Sequence, residues 1–380
     1  MHRPIAVRLA LAALIATALA GCGSGVPDVV RIGVAQPLSG PSANRGKDLL
    51  DGAKLAVAEI NVRGLKIDGK PVTLELVEAD DKGEVDGGKA AAQQLVEARV
   101  HAVIGHLHSH ITEAAAPIYA SANIPQLFTS SAKNLTQLSG SAFRLNASDG
   151  VQAQAISSFA QDNLRAAKVA VVAEDTGYGK PLSEDVVAGL KKAKVEVPVA
   201  EIVDAKVKDF APLVAKIGAA KVDTVVAILR ENQLLPLMAE LRKAGLDEVR
   251  IVASSTAKTT PVAKAELPAK GLFVATAALD TRDFPAGEAF RERFRKEFKA
   301  DPVAAAHYAY DAVYVLTDTM RLKRSVDPKV VAEGLKTASP TSIVTGFMRF
   351  DAQGEQRSAP VAVYRARGGN FEMQARSDRW

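Results

Sequence analysis

The chain has 380 residues, of which 48% are hydrophobic and 24% are charged. This length is enough for two or three domains whose cores need neither a disulfide nor a metal. The composition excludes a disulfide scaffold, a disordered chain, collagen and a coiled coil. The formal net charge of +5 includes Arg3 and Arg8 of the first 21 residues. The remaining positive charge is too small to indicate binding to nucleic acid.

The first 21 residues are typical of a bacterial export signal. Arg3 and Arg8 precede an uncharged apolar run over 9–20, which is too short to span a bilayer but fits a signal-peptide core of about 7–15 residues. Residues 19–22 read Leu-Ala-Gly-Cys and resemble a lipobox, in which Cys22 carries the lipid and begins the mature chain. Cys22 is the sole cysteine, and residues 22–27 read as a tether. The alternative is an ordinary signal peptide with a chance cysteine.

From residue 29 onward, short β-branched segments alternate with segments of helical periodicity. The first series predicts strands over 29–34, 72–76, 102–105 and 125–128, with helices over 49–60, 88–98 and 112–122. The second predicts helices over 151–163, 180–192, 210–219 and 233–244, with strands over 168–173, 195–203, 223–228, 250–253 and 271–275. Helices over 285–298 and 303–322 and strands over 347–350 and 361–364 follow, with Pro285 opening its helix.

This alternation predicts an α/β protein with two doubly wound parallel sheets and right-handed crossovers. Ligands of such sheets bind beyond the carboxyl ends of the strands. We therefore expect two lobes of similar size with a ligand-binding cleft between them.

Common signatures of catalysis are absent. Residues 40–47 resemble a phosphate loop only superficially, because the spacing is wrong and Asp48 follows Lys47 where Ser or Thr belongs. No Rossmann glycine fingerprint follows the first strand, and the chain contains no Gly-x-Ser-x-Gly. Adjacent acids at 80–81 and 174–175 point apart on an extended chain, so they do not suggest paired catalytic carboxylates.

Three histidines alternate after the strand predicted over 102–105. His106, His108 and His110 could begin a metal site, but the other imidazoles of the mature chain, His101 and His307, lack ligand-like spacing. We interpret the three as polar loop histidines at the edge of the cleft and expect no metal and no cofactor.

Several segments, in order, carry a family resemblance. They are Ile-Gly-Val-Ala-Gln-Pro-Leu-Ser-Gly-Pro at 32–41, Gly46, Asp-Gly-Ala-Lys-Leu-Ala-Val-Ala-Glu-Ile-Asn at 51–61, Ala-Asp-Asp at 79–81, Val-Ile-Gly-His at 103–106, Ile-Pro-Gln at 124–126, Tyr-Gly at 178–179, Lys-Asp-Phe at 208–210 and Tyr-Asp-Ala-Val at 310–313. Together they resemble the branched-chain amino-acid (Leu/Ile/Val) binding proteins of bacterial ABC transporters, which have the type I periplasmic binding protein fold.

The resemblance implies two lobes joined by a hinge of three crossovers, with the ligand held by hinge closure. It assigns 28–146 and 277–353 to the first lobe and 147–276 and 354–380 to the second. It also places Ser109, Ser130 or Ser131, and Tyr178 at the ligand, the serines on its carboxylate and the tyrosine as a closing aromatic. Alternatively, the adjacent serines only cap the following turn.

Two positions depart from the family pattern. Arg45 stands where an aromatic often covers the ligand side chain, unless it is a solvated loop cation, and Ser255 stands where amino-acid binders carry the acid for the ammonium. Arg230 approaches the cleft from the opposite lobe to Arg45. A carboxylate without an amino group, or a polar amide, is therefore favoured over leucine. A nearby acid could still substitute for the missing one: Glu174, Asp175 or Glu231.

The function implied is that of an exported, lipid-anchored substrate-binding protein rather than an enzyme. We expect a monomer in the periplasm, or on the outer face of the cytoplasmic membrane, that touches the membrane only through its anchor. It would bind a small polar ligand (an amino acid, an amide or a small carboxylate) and deliver it to ABC transporter permease subunits. The alternatives are a ligand-sensing receptor component of the same fold and, less favoured, an exported enzyme.

Overall fold

The computed structural model describes residues 25–204, 206–303, 305–340, 342–346 and 348–377. The predicted export signal and Cys22 lie outside the described residues. The strands, in chain order, are β1 (Val29–Gln36), β2 (Leu65–Ile67), β3 (Lys70–Asp80), β4 (Ala102–Ile104), β5 (Gln126–Phe128), β6 (Ala142–Arg144), β7 (Lys168–Glu174), β8 (Glu196–Val203), β9 (Thr224–Ile228), β10 (Arg250–Ala253), β11 (Leu272–Thr276), β12 (Ala362–Arg367) and β13 (Asn370–Arg376).

The helices are α1 (Ala43–Arg63), α2 (Val85–Glu97), α3 (Ser109–Ser121), α4 (Asp149–Ser158), α5 (Gly179–Lys192), α6 (Ala211–Ala219), α7 (Glu231–Lys243), α8 (Thr260–Lys264), α9 (Gly287–Phe298), α10 (Ala306–Lys323) and α11 (Pro328–Thr337). A π-helical turn, Phe159–Asn163, extends α4.

The strands form two sheets, as predicted. The first has the order β2-β3-β1-β4-β5-β6 and is parallel except for the β2–β3 hairpin. The second has the order β13-β12-β11-β10-β9-β7-β8, with β12 and β13 running antiparallel at one edge. The predicted α/β class with two parallel-dominated sheets is confirmed.

Each sheet is covered by apolar side chains on both faces. In β9, Val225 and Ala227 join the core formed with α6 and α7, while Val226 and Ile228 join the core formed with α4 and α5. Successive strand residues point to opposite faces, so a run of apolar residues is required wherever both faces are covered. The same division in β4 places Val103 against α2 and α3 and its two neighbours toward α1 and α10.

We call the sheet of β1–β6, with α1–α3 and α9–α11, the first lobe, and the sheet of β7–β13, with α4–α8, the second lobe. Along the described residues the chain passes between them at three places: from β6 to α4, from β11 to α9, and from α11 to β12. The residue-level lobe boundaries given by the sequence stay a prediction.

Two sequence predictions are wrong. The helix predicted to open on Pro285 begins at Gly287, because a tight turn at 281–284 comes first and the Gly287 N–H still bonds to the carbonyl of Phe284 at 2.9 Å. The strand predicted over 347–350 has Phe347 outside the described residues, and the remainder pairs only through an isolated bridge from Phe350 to Gln356. Met348 and Phe350 are buried in the first-lobe core, so their alternation reflects burial without strand pairing.

Candidate functional site

The candidate site lies where the carboxyl ends of the strands of the two lobes meet. Ser109, Ser130, Ser131 and Arg45 follow strands β4, β5 and β1 of the first lobe, while Tyr178, Arg230 and Ser255 follow β7, β9 and β10 of the second. Contacts between described residues join the lobes at this edge. The Asp149 N–H donates to the carbonyl of Ser131 at 2.7 Å, and Lys133 Nζ lies 3.0 Å from both carboxylate oxygens of Asp185.

The N-terminus of α3 presents an anion-binding surface. His108 is the N-cap in an extended conformation, and Ser109 is the first helical residue. The first N–H groups of a helix have no intrahelical acceptor, and the helix dipole favours negative charge there. Ser109 Oγ accepts a bond from the Ala132 N–H at 3.3 Å, which leaves its own proton available for donation. This end of α3 suits a carboxylate.

The two adjacent serines have different surroundings. Ser130 is buried, its hydroxyl donates to the carbonyl of His106 at 2.8 Å, and its Oγ lies 2.5 Å from that of Thr112. Ser131 is half-buried, and its hydroxyl lies close enough to the Asp149 carboxyl to lower the pKa of that group. The hydroxyl of Ser130 is therefore occupied within the first lobe, whereas Ser131 lies where the lobes meet.

Asp149 is a site residue that the sequence analysis missed. It is the first residue of α4 and only 7% exposed, and burial raises the pKa of its carboxyl to about 6, against the hydrogen bond from Ser131 and the charge of Arg144. Its Oδ1 is buried and has no hydrogen-bond partner among the described residues. A buried carboxylate oxygen without a donor is costly, so this atom suits a cationic donor. In the sequence, Ser148 and Asp149 look like an ordinary helix N-cap and first turn. This pattern gives no sign that Asp149 belongs to the candidate site.

Tyr178 and Ser255 contact each other in the second lobe. The Tyr178 hydroxyl lies 3.1 Å from Gln152 Oε1 and 3.1 Å from Ser255 Oγ. Burial, followed by the charge of Asp149, raises the pKa of Tyr178. The phenol therefore keeps its proton at neutral pH and serves as a donor near Asp149.

Arg230 is engaged within its own lobe. Its Nε lies 3.3 Å from Glu174 Oε1, and the Glu174 side chain is 2% exposed while that of Arg230 is 60% exposed. Thr176 donates a further bond to the same Oε1. The charge of Arg230 is thus balanced by an acid of the second lobe.

In the first lobe, Arg45 lies in the first turn of α1 and is exposed. His108 Nε2 is 3.1 Å from Ser42 Oγ, and the rings of His108 and His110 stack with centroids 5.8 Å apart. Burial, then the charges of Arg45 and His110, lower the pKa of His108, opposed by Asp81. His108 is therefore a neutral hydrogen-bonding group at pH 7.

A family model described as periplasmic binding protein matches residues 29–370. The chain belongs to the periplasmic binding protein family. The amino acid binding protein of Pseudomonas aeruginosa is 30% identical over 364 residues, which cover 94% of this chain and 95% of that protein. The Leu/Ile/Val-binding protein of Escherichia coli is 27% identical over 353 residues, covering 91% and 93%.

Among solved structures, the ABC transporter substrate-binding protein from Desulfitobacterium hafniense in complex with Leu is 27% identical. Its TM-score is 0.75, and the match covers 91% of this chain and 100% of that chain. The family resemblance found in the sequence and the type I fold are confirmed. Family membership makes this chain a periplasmic binding protein and not an enzyme.

The binding protein has a buried chain of hydrogen bonds beneath the loop at 129–132, which carries the candidate serines. His106 Nδ1 lies 2.7 Å from Asp81 Oδ2 and His106 Nε2 lies 3.3 Å from the Tyr119 hydroxyl, with all three side chains buried. The expectation of three polar histidines at the cleft edge is therefore wrong for His106, which is buried. Burial of its ring is tolerated because both ring nitrogens have hydrogen-bond partners. These hydrogen bonds fix the His106 carbonyl that holds Ser130.

Arg144 connects this loop to the last passage between the lobes. The guanidinium is fully buried, with Nε 2.9 Å from Glu355 Oε2 and an Nη donating to the Ala132 carbonyl at 2.8 Å. The other Nη donates to the Ser130 carbonyl. The Arg144 side chain thus bonds both to the loop at 129–132 and to the segment that returns to the second lobe.

Among the described residues there is no group of three or more His, Cys, Asp or Glu that could hold a metal ion. Asp80 and Asp81 do point apart. Asp80 Oδ1 accepts the Leu38 and Lys82 N–H groups at 2.8 Å, whereas Asp81 binds His106.

None of the helices in the described part of the binding protein has the length and hydropathy needed to cross a bilayer.

Proposed function

We propose that this chain is an exported, lipid-anchored substrate-binding protein that captures one free α-amino acid between its lobes and delivers it to the permease subunits of an ABC transporter. Membership of the periplasmic binding protein family supports a binding role. Relatives described as an amino acid binding protein and as a complex with Leu support an amino-acid ligand.

The observation that carries the proposal is the Oδ1 atom of Asp149. Within the described part of the chain this atom is buried and has no hydrogen-bond partner, and the Asp149 carboxyl lies near Ser131 and Tyr178. An α-ammonium there would pair the carboxylate, while the α-carboxylate would bind at the N-terminus of α3 and the Ser109 and Ser131 hydroxyls. Asp149 thereby supplies the acid that Ser255 lacks, which reverses the preference for a ligand without an amino group.

The test is calorimetry of the Cys22→Ser protein with amino acids and with their des-amino counterparts, such as L-glutamate against glutarate and L-leucine against 4-methylpentanoate. We expect removal of the ammonium, or Asp149→Asn, to weaken binding by about 2–4 kcal/mol, because one partner of a desolvated charge pair is lost. Asp175→Asn is the control, since Asp175 is an exposed acid of the cleft edge. A des-amino acid that binds as tightly as its amino acid would contradict the proposal.

Hinge closure predicts a single site and a change in shape. Saturation with the best ligand should give one-to-one stoichiometry by calorimetry and a smaller radius of gyration by solution scattering, because closure brings the lobes together. Two independent sites, or scattering unchanged at saturation, would exclude closure on one ligand. A constant molecular mass across the concentration series would support the monomer.

The anchor is tested through Cys22. The wild-type protein, with Cys22 in place, should fractionate with membranes after a salt wash, because several acyl chains each contribute about 0.8 kcal/mol per buried methylene. Cys22→Ser should release the protein while leaving ligand affinity unchanged, since the tether separates the anchor from the cleft. Retention of the serine variant on membranes would exclude lipidation at Cys22.

A further inference from the structure

A cluster at the first-lobe side of the cleft consists of Arg45, His108 and His110, and we call it the basic face. β1 and β4 are parallel neighbours in the sheet, so the starts of α1 and α3 lie side by side. Ser42, the N-cap of α1, joins them through its bond to His108. The basic face therefore borders Ser109, which lies between the two histidines in the chain.

Arg45 has no ion pair within 4 Å among the described residues. Its acidic neighbour is Asp48, which is buried and already accepts the N–H groups of Val303, Ala305 and Ala306 at 2.6–2.9 Å. Across the cleft, Arg230 differs because Glu174 balances its charge. The guanidinium of Arg45 is thus available to pair with a ligand.

We propose that the basic face is the side-chain subsite of the cleft and that the substrate is an amino acid with an acidic side chain. The inference rests on the proposed function, because it requires the α-carboxylate at α3 and the α-ammonium at Asp149. The planar guanidinium matches a carboxylate with two parallel hydrogen bonds. The imidazoles of His108 and His110 add polar groups beside it.

Closure of the two lobes explains why an acidic side chain would be preferred. An acidic side chain pairs with Arg45 as water leaves the cleft, whereas an apolar side chain would leave the guanidinium desolvated without an acceptor. An amide side chain of the same shape offers one neutral acceptor and lacks the charge. Leucine should therefore bind worst and the amide should be intermediate.

The experiment measures dissociation constants of the Cys22→Ser protein for L-glutamate, L-glutamine, L-aspartate, L-asparagine and L-leucine. We expect the better acidic ligand to bind at least about tenfold more tightly than its amide. Arg45→Ala should remove that preference and change amide binding by less than about threefold. Lys47→Ala is the matched control: Lys47 is an exposed cation of the same turn of α1, but two positions along a helix point to different faces.

Amide or leucine binding as tight as acid binding would overturn the acidic subsite while leaving the amino-acid function intact. Absence of binding to all five, and to the remaining amino acids, would contradict the proposed function itself. Equal weakening of acid binding by Arg45→Ala and Lys47→Ala would also overturn the subsite, because a long-range field would then explain the effect. If Arg45→Ala fails to fold, Arg45→Gln and His108→Gln, checked by circular dichroism, test the same preference.

Discussion

The ionised side chain of Asp149 opposes folding, and under the proposed function the same charge binds the ligand ammonium. Its carboxyl is nearly enclosed at the junction of the lobes, and its Oδ1 atom has no hydrogen-bond partner among the described residues. Burial favours the protonated form, so folding raises the pKa from 3.8 to about 6. Ionisation of this group therefore costs stability in the ligand-free protein.

The sign of the pH dependence follows from the raised pKa. The contribution of Asp149 to stability is fully present below pH 3.8, the ordinary pKa, and is lost as the pH rises through about 6. We expect Asp149→Asn to raise the free energy of unfolding at pH 8 by about 2–3 kcal/mol and to leave it unchanged near pH 4. Urea denaturation at both pH values measures this. An equal effect at both would exclude the ionisation as the cause.

Binding should have the opposite dependence. A ligand ammonium requires the ionised carboxylate, so affinity for an amino acid should fall about tenfold for each pH unit below about 6. Calorimetry between pH 4.5 and 7.5 checks this slope, and Asp149→Asn should flatten it. A slope that persists in the variant would assign the titration to another group, with His108 the first to examine.

At the scale of elements, α1 and α10 are held unusually close. Gly52 is buried in α1, and a Cβ placed there would lie 2.0 Å from the carbonyl oxygen of Ala306 at the start of α10. Backbone atoms cannot move aside as a flexible side chain can. The positions of α1 and α10 over the first sheet therefore depend on the absence of a side chain at residue 52.

Gly52→Ala should destabilise the protein by about 3 kcal/mol, at the upper end of overpacking costs, despite the better helix propensity of alanine. Gly218→Ala is the control. It also lies in a helix, but its added methyl meets a leucine side chain at 3.4 Å, and it should be neutral or stabilising by up to about 1 kcal/mol. Thermal unfolding of both variants makes the comparison. An equal change in stability in both variants would show that α1 and α10 can move apart to accept the added methyl group.

Most helices and strands could be predicted from the sequence, because the spacing of apolar residues reflects which faces of an element are buried. The central strands read as continuous apolar runs because both faces of each sheet are covered. The strands β2 and β6 were missed because three residues carry little periodic signal. The edge strand β13 was missed although its sequence, Asn-Phe-Glu-Met-Gln-Ala-Arg, alternates polar and apolar residues as a half-buried strand does. Phe350 illustrates the reverse error, since the same alternation arises from core packing alone. The segments that bear Ser109, Tyr178 and Ser255 could be located from the family pattern. The role of Asp149 and the enclosure of His106 depend on partners distant in the chain, which one sequence does not reveal.

At the scale of the molecule, an ion pair spans the mouth of the cleft. Lys133 follows β5 in the first lobe, and Asp185 lies on α5 in the second. Both side chains are substantially solvated, so the pair contributes about 0.2–1 kcal/mol to the conformation in which the lobes touch. This is enough to bias the opening equilibrium without fixing it.

Lys133→Met should weaken ligand binding by about two- to fivefold, because the closed form loses one contact. The effect should shrink as salt concentration rises. Asp185→Asn and the double variant complete a thermodynamic cycle. Additive effects of the two substitutions would show that the pair contributes nothing to closure.

The buried guanidinium of Arg144 also affects when, during synthesis of the chain, the candidate site can form. Its carboxylate partner, Glu355, comes 211 residues later in the chain, and a buried charge without its partner is strongly unfavourable. A nascent chain that has emerged only as far as α11 lacks Glu355 and cannot pair the Arg144 guanidinium that holds the loop at 129–132, although every strand of the first sheet is already present. The candidate site can therefore be completed only when nearly the whole polypeptide is available.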